Sequence, residues 1–355
     1  MISKLRPFLI VPKLINQPTW GGDYIVNTKK LNHLPYISQY SIGQSYELFS
    51  GTKLLLNITD STDQNFSPEI NEEVFNLKKD IDYIEISEII DMPLLIKLTQ
   101  AKGNSYQLHV KQDVVDSRWV PKAESWYYLE PGLLTCGIKQ NINVNDYKIL
   151  CQKIDQLMHD LSNKVINKEI DIETARIEAN DFIKLNNPLD FVNLVESKKF
   201  DIFDMSSGGL HHSWQDAGNI LYEIQQDRMD PVSTLRCFDQ GKIKDDGTIR
   251  EINIDDYFKY LDTSAETNDV SKIKKDKLIT PYYAMDVIEV DQKIKLNKAN
   301  SFVHFYVREG DVNVETDEGT VRMTAGYSCF VMQEASDVQI TANSGNSVVL
   351  KTYIP

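Results

Sequence analysis

Two short stretches of the sequence carry side chains that commonly bind a divalent metal ion. Residues 105–109 contain Gln107 and His109, and residues 122–124 end in Glu124. In a β-strand, side chains two residues apart project from the same face, so Gln107 and His109 are expected to lie together. A third stretch, residues 208–211, ends in His211 and can add a second imidazole. Two imidazoles, one carboxylate and one amide oxygen suit a borderline metal such as Zn²⁺, and they leave an open position typical of a catalytic site.

The charge of the chain limits its partners. Its 355 residues carry a formal net charge of −14, which repels nucleic acid and anionic membranes at long range. We therefore expect neither as a partner. An anionic small substrate would need local cationic groups, and Lys122, two residues before Glu124, is placed to share its strand face.

Cysteine usage and the apolar segments indicate a soluble, cytoplasmic protein. The four cysteines contain no C-x-x-C pair, so we expect reduced, mostly buried thiols and a metal held by N and O ligands. The apolar run at residues 8–11 ends at Pro12 and Lys13, far short of a signal sequence or a membrane span.

The elements that must position these residues are mostly strands. From Tyr40 to Leu134 the chain alternates short apolar runs with turn residues, a pattern typical of an all-β sandwich or barrel. Between residues 145 and 185 the apolar spacing becomes helical, and Asp171 is a candidate cap for a second helix. Strand patterns resume at Phe191 and include residues 219–225, where alternation places Glu223 on one face.

A chain of this length is natural for two or three structural units. The charged stretch at residues 264–277 resembles a linker, and a second series of short strands ends at Tyr353. We predict a catalytic β unit at residues 1–140 and 190–263 and a helical insertion at 141–189. A linker at 264–280 and a C-terminal β unit at 281–355 complete the predicted division.

An ordered series of motifs spans nearly the whole chain. The motifs are Trp20-Gly21-Gly22, Ile42-Gly43-Gln44-Ser45-Tyr46-Glu47-Leu48, Pro93-Leu94-Leu95-Ile96-Lys97, Ser105-x-Gln107-x-His109, Lys122-x-Glu124-x-Trp126-Tyr127, Gly208-Gly209-Leu210-His211, Glu223-Ile224-Gln225-Gln226 and Arg236-Cys237-Phe238-Asp239. In this order they resemble the type I mannose-6-phosphate isomerases, cupin-fold zinc enzymes that interconvert mannose 6-phosphate and fructose 6-phosphate. The resemblance implies a mainly β fold, with two cupin-type barrel or jelly-roll units and a small helical insertion.

The resemblance also implies roles for individual residues. Gln107, His109, Glu124 and His211 match the ligands of one Zn²⁺ per chain. Ser105 and Lys122 match positions near the substrate phosphate or the reacting sugar. Arg236 matches the catalytic arginine and Glu223 an acidic residue beside the site, and either Glu223 or Lys122 could be the general base. We expect a sugar phosphate substrate and a monomer or weak homodimer.

The sequence departs from the family pattern at several positions. Val110 replaces a proline, a glycine replaces the small hydroxyl residue before the second histidine, and Asn253 replaces a histidine. None of these changes removes a metal ligand. The intervals from His211 to Glu223 and from Glu223 to Arg236 are longer than is typical, with residues 227–231 in place of a tight Ser-Asp-Thr run.

Two other functions fit part of the pattern. A non-catalytic cupin that senses a sugar phosphate could keep the metal ligands and lose the base or the arginine, and the long interval before Arg236 keeps this alternative open. A cupin oxygenase using Fe(II) would also present two histidines and a carboxylate. Against the oxygenase stand Gln107 and the phosphate-competent Ser105 and Lys122.

Overall fold

The computed structural model describes residues 3–18, 20–70, 81–101, 105–213, 218–297 and 300–355, and most of its regular elements are strands. The first strands are β1 (Pro7–Val11), β2 (Lys13–Asn16), β3 (Ile42–Leu48), β4 (Lys53–Leu55), β5 (Glu69–Ile70), β6 (Tyr83–Glu85) and β7 (Leu94–Ala101). They are followed by β8 (Tyr106–His109), β9 (Glu124–Tyr128), β10 (Gly132–Ile138), β11 (Val192–Ser197), β12 (Ile202–Asp204), β13 (Gly209–Ser213), β14 (Asn219–Gln226), β15 (Leu235–Phe238) and β16 (Lys274–Lys275). The last are β17 (Leu278–Ile279), β18 (Ala284–Val290), β19 (Lys293–Lys295), β20 (Val303–Glu309), β21 (Asp311–Thr316), β22 (Gly319–Thr324), β23 (Ser328–Val331), β24 (Gln339–Ala342) and β25 (Ser347–Tyr353).

Helices are fewer, and the two longest are consecutive. The α-helices are α1 (Tyr24–Thr28), α2 (Val144–Ile166), α3 (Ile172–Leu185), α4 (Asp230–Ser233) and α5 (Ile254–Tyr260). Short 3₁₀ turns occur at Leu31–His33, Ile37–Gln39, Ile86–Glu88, Pro188–Asp190 and Val270–Lys272. The chain divides into two compact units, which we call unit 1 (residues 1–100, 221–227 and 276–355) and unit 2 (residues 101–220 and 228–275).

Unit 1 is built from layered sheets. One sheet has the strand order β17-β18-β25-β20-β23-β1-β4-β6, another contains the run β14-β7-β3-β2-β5, and a small sheet has the order β19-β24-β21-β22. Strand alternation fills the core: along β21, Val312 and Val314 are fully buried and their neighbours are only half-buried. They pack with Phe305, Ile340 and Val349 in the apolar core of this unit.

Unit 2 places helices against one face of a sheet. Its five-stranded sheet has the order β11-β10-β13-β8-β15, and β9 pairs with β12, which pairs with β16. On one face, Leu108, Leu210 and Leu235 are buried in a core shared with α2, whose Ile154 and Leu161 are also buried. Since alternate residues of a strand point to opposite faces, the neighbours of these leucines project from the other face.

The predicted fold class and helical insertion are confirmed. The structure is mainly β, and α2 and α3 lie inside the range predicted to be helical. The predicted cap is also present, because the Asp171 carboxylate accepts a hydrogen bond from the backbone N–H of Thr174 at 2.8 Å. The α2 helix has the equivalent cap from Asn143.

The units follow different boundaries from those expected. Residues 1–100 belong with the C-terminal strands in unit 1, whereas the sequence suggested that they form one unit with residues 101–140. The physical reason is long-range strand pairing. Strand β1 pairs with β23 in the register Pro7↔Val331 and Phe8↔Phe330, and a local hydrophobic pattern carries no information about such a partner.

The segment expected to be a linker is an integral part of the fold. Strand β16, at its centre, pairs with β12. The buried Asn268 side chain accepts a hydrogen bond from Ile138 N at 2.8 Å and donates to the carbonyls of Asp262 and Ser264. These bonds satisfy backbone groups that a solvated linker would leave to water.

The cysteines agree with the expectation from composition. Cys136, Cys151, Cys237 and Cys329 are all free and buried. Within the described ranges, no helix has both the length and the apolar character needed to cross a membrane.

Candidate metal centre

Strand β8 supplies two of the predicted metal ligands. Its Tyr106 and Leu108 are buried in the helix-facing core, so the intervening Gln107 and His109 project from the opposite face of the sheet. Both neighbouring strands add to this face in register. His211 of β13 and Arg236 of β15 each lie directly across from Gln107. Residues directly opposite in an antiparallel pair share a face, so the three side chains form one row.

The carboxylate comes from β9 and completes a compact cluster. His109 Nε2 lies 3.1 Å from Glu124 Oε2, and His211 Nε2 lies 3.4 Å from Glu124 Oε1. The ligand atoms of these three residues are all within 4.8 Å of one another, and each side chain is almost fully buried. Half-buried Gln107, beside His211 on the same face, is the fourth candidate ligand.

Hydrogen bonds to the other ring nitrogen orient both imidazoles. His109 Nδ1 is 2.7 Å from the carbonyl oxygen of Ser233, and His211 Nδ1 is 3.2 Å from that of Gly209. A carbonyl can only accept, so each Nδ1 carries the hydrogen and each Nε2 of a neutral ring presents a lone pair. Burial, followed by the charge of Lys122, lowers the pKa of His109 to about 4, which keeps that ring neutral.

This arrangement fits a cation among the three side chains. Two Nε2 lone pairs face a carboxylate, and His211 Nε2 has no hydrogen-bond partner among the described residues. Burial raises the pKa of Glu124, but the charge of Lys122 and the two imidazoles together outweigh that effect and lower the pKa below its usual range. The carboxylate therefore stays ionised. Trp126 Nε1 donates to Glu124 Oε1 at 2.8 Å and fixes the carboxylate orientation. Buried lone pairs and a negative charge of this kind could hold a metal ion, and N and O donors suit Zn²⁺.

The predicted cationic residues lie in the same unit. Lys122 Nζ is 2.9 Å from Glu124 Oε2. Arg236 Nε donates to Ser105 Oγ at 2.8 Å, and both side chains are buried. The structure therefore brings seven of the eight predicted site residues together in unit 2. They are Ser105, Gln107, His109, Lys122, Glu124, His211 and Arg236.

Glu223, the eighth predicted residue, belongs to unit 1. Its carboxylate accepts a hydrogen bond from Thr99 Oγ1 at 2.8 Å and lies 3.1 Å from Lys97 Nζ. Thr99 and Lys97 are two residues apart on β7 and so share a face. The sequence analysis gave neither of them a role.

Asp230 is a further charged residue that the sequence analysis did not assign. Its Oδ2 contacts Arg236 Nη2, and its Oδ1 accepts from Thr234 Oγ1 at 2.8 Å. It falls within residues 227–231, where the spacing departs from the family pattern. No strand or helix periodicity relates Asp230 to Arg236, because the chain turns from α4 into β15 between them.

The fold and the site together define a class of protein. The chain is mainly β, and its buried His–Glu–His cluster could hold a metal ion. Residues 274–350 match the family model described as the cupin domain of mannose-6-phosphate isomerase. No curated protein matches the chain.

Solved structures extend this likeness over the whole chain. A putative mannosephosphate isomerase from Archaeoglobus fulgidus matches with a TM-score of 0.63 at 15% identity, and the match covers 98% of each chain. The mannose 6-phosphate isomerase from Bacillus subtilis matches with a TM-score of 0.64 at 14% identity, covering 98% of this chain and 99% of that one. The Salmonella typhimurium mannose 6-phosphate isomerase, bound to the substrate f6p and zinc, matches with a TM-score of 0.62 at 13% identity over the same shares. The protein thus has the fold of mannose-6-phosphate isomerases, and the resemblance seen in the sequence is confirmed at the level of the fold and the C-terminal cupin domain.

Proposed function

We propose that this protein is a zinc-dependent aldose–ketose isomerase that interconverts mannose 6-phosphate and fructose 6-phosphate through a cis-enediol(ate). The observation that carries the proposal is the buried cluster of His109, Glu124 and His211. It occurs in a chain whose fold matches, over 98% of its length, a mannose 6-phosphate isomerase bound to f6p and zinc. Fold alone does not determine function, so the proposal depends on the chemistry of the site.

The metal ligands are proposed to be Gln107, His109, Glu124 and His211. Zn²⁺ held there would supply Lewis acidity that stabilises negative charge on the sugar oxygens. The backbone carbonyls of Ser233 and Gly209 keep both Nε2 atoms directed at the metal position. One Zn²⁺ per chain is expected.

Proton transfer requires a base on one face of the sugar. The base takes the proton from C2 of the aldose to give the enediol(ate), a proton passes from O2 to O1 so that the carbonyl moves from C1 to C2, and the same base returns its proton to C1. Lys122 is one candidate for this base, because its Nζ lies 2.9 Å from Glu124 Oε2 in the proposed site. Glu223, paired with Lys97, remains the alternative base.

Negative charge on the substrate is proposed to be met by Arg236 and Ser105. A guanidinium stays protonated and offers a planar fork of donors, which suits the oxygens of an enediolate or a phosphate. Arg236 lies across from Gln107 despite the long interval that precedes it in the sequence. That placement favours an enzyme over a non-catalytic sensor, because the arginine is retained on the same sheet face as the ligands.

One assay with metal analysis tests the proposal. The purified protein is incubated with mannose 6-phosphate, fructose 6-phosphate formation is coupled to a dehydrogenase, and zinc is measured in the same sample. Turnover that depends on zinc and continues without oxygen is expected. Binding of mannose 6-phosphate without turnover would indicate a sensor, and a requirement for oxygen and Fe(II) would indicate an oxygenase.

A further inference from the structure

Arg236 is held at three points by its own unit. Its Nε donates to Ser105 Oγ at 2.8 Å, Nη1 donates to the carbonyl of Thr234 at 3.3 Å, and Nη2 contacts the carboxylate of Asp230. A guanidinium has five N–H donors. Two of them, one on each terminal nitrogen, have no partner among the described residues. These two N–H groups remain available to donate to substrate oxygens.

Asp230 is itself fixed by its surroundings. It begins the short helix α4, and Thr234 Oγ1 donates to its Oδ1 at 2.8 Å while its Oδ2 contacts Arg236. Partial burial raises the pKa of Asp230, but the charges of Arg236 and Lys122 outweigh that effect and lower the pKa to about 2. The carboxylate is therefore ionised throughout the neutral range. The Asp230 side chain is 59% exposed, so a replacement there creates no cavity.

The other end of α4 reaches a metal-ligand candidate. The carbonyl of Ser233, the last residue of α4, lies 2.7 Å from His109 Nδ1. One short segment thus contacts Arg236 through Asp230 and His109 through Ser233. The segment lies in the part of the chain where the spacing departs from the family pattern. The longer interval before Arg236 therefore supplies the contacts to both Arg236 and His109.

We propose that Asp230 is a positioning residue that holds the guanidinium plane of Arg236 in the orientation that the reaction needs. The inference rests on the proposed function, since Arg236 is taken to stabilise charge on the substrate. A flexible arginine that must be ordered during the reaction loses much of its contribution to the rate, because pre-organised donors need no rearrangement as charge develops.

The position of Asp230 predicts a specific division between kcat and KM. Asp230→Asn keeps the size of the side chain and removes one negative charge next to the substrate position. Binding of an anionic substrate should be unchanged or stronger, so KM should stay level or fall. The rate should fall because Arg236 is no longer fixed, and we expect kcat to drop by about 10- to 100-fold with zinc content unchanged.

Two further variants define the test. Thr234→Val removes the hydroxyl that orients Asp230 while keeping the shape of the side chain, and it should lower kcat in the same direction by a smaller factor. Asp239→Asn is the matched control, because Asp239 Oδ2 lies 3.6 Å from Arg250 Nε and belongs to another aspartate–arginine pair of unit 2. This control should keep wild-type kinetics. If Asp230→Asn keeps kcat within twofold of wild type, Asp230 is not a positioning residue.

A second measurement separates this inference from the proposed function. The Nε–H signal of Arg236, assigned by its absence in Arg236→Lys, is followed by ¹⁵N NMR in the zinc-loaded protein. In Asp230→Asn we expect faster solvent exchange of this hydrogen, with no change for Arg250. An unchanged exchange rate would overturn the inference even in an active enzyme. Faster exchange in a protein without isomerase activity would support the positioning role and reject the proposed reaction.

Discussion

At the scale of single residues, the site depends on which ring nitrogen of each histidine is free. In His109 and His211 the Nδ1 hydrogen is directed at a main-chain carbonyl, which leaves both Nε2 lone pairs facing Glu124. Neutral imidazoles oriented in this way are ready to bind a metal without losing a proton. The backbone, and so the fold itself, sets the orientation of these two candidate ligands.

The first prediction concerns the metal. His109→Ala and His211→Ala should each reduce bound zinc from about one ion per chain to well below one, because a catalytic zinc site normally has three protein ligands and loses much of its affinity with one fewer. His159→Ala is the control, since His159 is an exposed histidine of the same unit. Elemental analysis of dialysed samples measures the result. Full zinc occupancy in both ligand variants would show that the assignment is wrong.

The second prediction concerns Arg236. If this residue stabilises the enediolate, its contribution grows as charge develops, so Arg236→Ala should lower kcat by about 10²-fold or more and leave KM and zinc content little changed. Arg236→Lys should recover little activity, because lysine keeps the charge but lacks the planar fork of donors. Steady-state kinetics of both variants decide the question. Near-normal kcat would remove Arg236 from the mechanism and direct attention to Arg228.

At the scale of elements, strand β8 lies between the helix-facing core of unit 2 and the candidate metal site. Its alternate residues face the helices on one side and the proposed metal position on the other, so the packing of α2 behind the sheet supports the candidate ligands in front of it. The helix and the strand share one apolar core, because Leu161 of α2 is fully buried in the same cluster as Leu108 of β8. Close-packed interiors transmit strain, so loss of this packing should lower the stability of unit 2.

The third prediction tests this packing. Leu161→Ala should lower the free energy of unfolding of unit 2 by about 2–5 kcal/mol, because it removes buried methyl groups and leaves a cavity. Ile177→Ala, on the neighbouring α3, is the control: its side chain is 61% exposed, and we expect a change within about 0.5 kcal/mol. Hydrogen exchange of peptides from α2 and β8, measured against urea, gives the value for this unit alone. Equal effects of the two substitutions would contradict the packing argument.

Local features of the sequence predicted the elements well and long-range pairings poorly. The alternation of Gln107 with His109 and the helical spacing before Leu161 depend on near neighbours, and both features are present in the structure. The pairing of β1 with β23 and the contact of Asp230 with Arg236 depend on distant strands and on a turn. Neither follows from periodicity, because a hydrophobic pattern gives the face of a strand and not its partner.

At the scale of the whole molecule, the two units contain different kinds of buried polar groups. Unit 2 buries a candidate metal site, whereas unit 1 buries His304, whose Nδ1 lies 3.1 Å from Tyr222 Oη. The charge that acts on it is that of Lys29, whose Nζ lies 2.8 Å from Glu47 Oε1. Burial, followed by the charge of Lys29, lowers the pKa of His304 to about 3. The stability of unit 1 should therefore depend on pH through this histidine.

The sign of that dependence follows from the two protonation states. In unfolded chain His304 has a pKa of about 6.5, so below that pH the unfolded state binds a proton that the folded state excludes. The stability that comes from a neutral His304 is thus present above about pH 6.5 and is lost as the pH falls toward about 3. Between pH 7 and pH 4.5 the loss is about 2–3 kcal/mol, since each pH unit below 6.5 costs about 1.4 kcal/mol.

The fourth prediction is that His304→Asn flattens this part of the pH profile. Other groups titrate over the same range, so the measured quantity is the difference between wild type and variant at pH 7, 6, 5 and 4.5. The free energy of unfolding of unit 1, obtained from hydrogen exchange of peptides in β20 and β25, should fall more steeply in wild type by about 2–3 kcal/mol over this interval. Peptides of β8 and β13 in unit 2 serve as the internal control and should show the same profile in both proteins. Parallel profiles for unit 1 would mean that His304 binds its proton in the folded state as readily as in the unfolded chain. The interpretation of His304 as a buried, neutral imidazole would then be wrong.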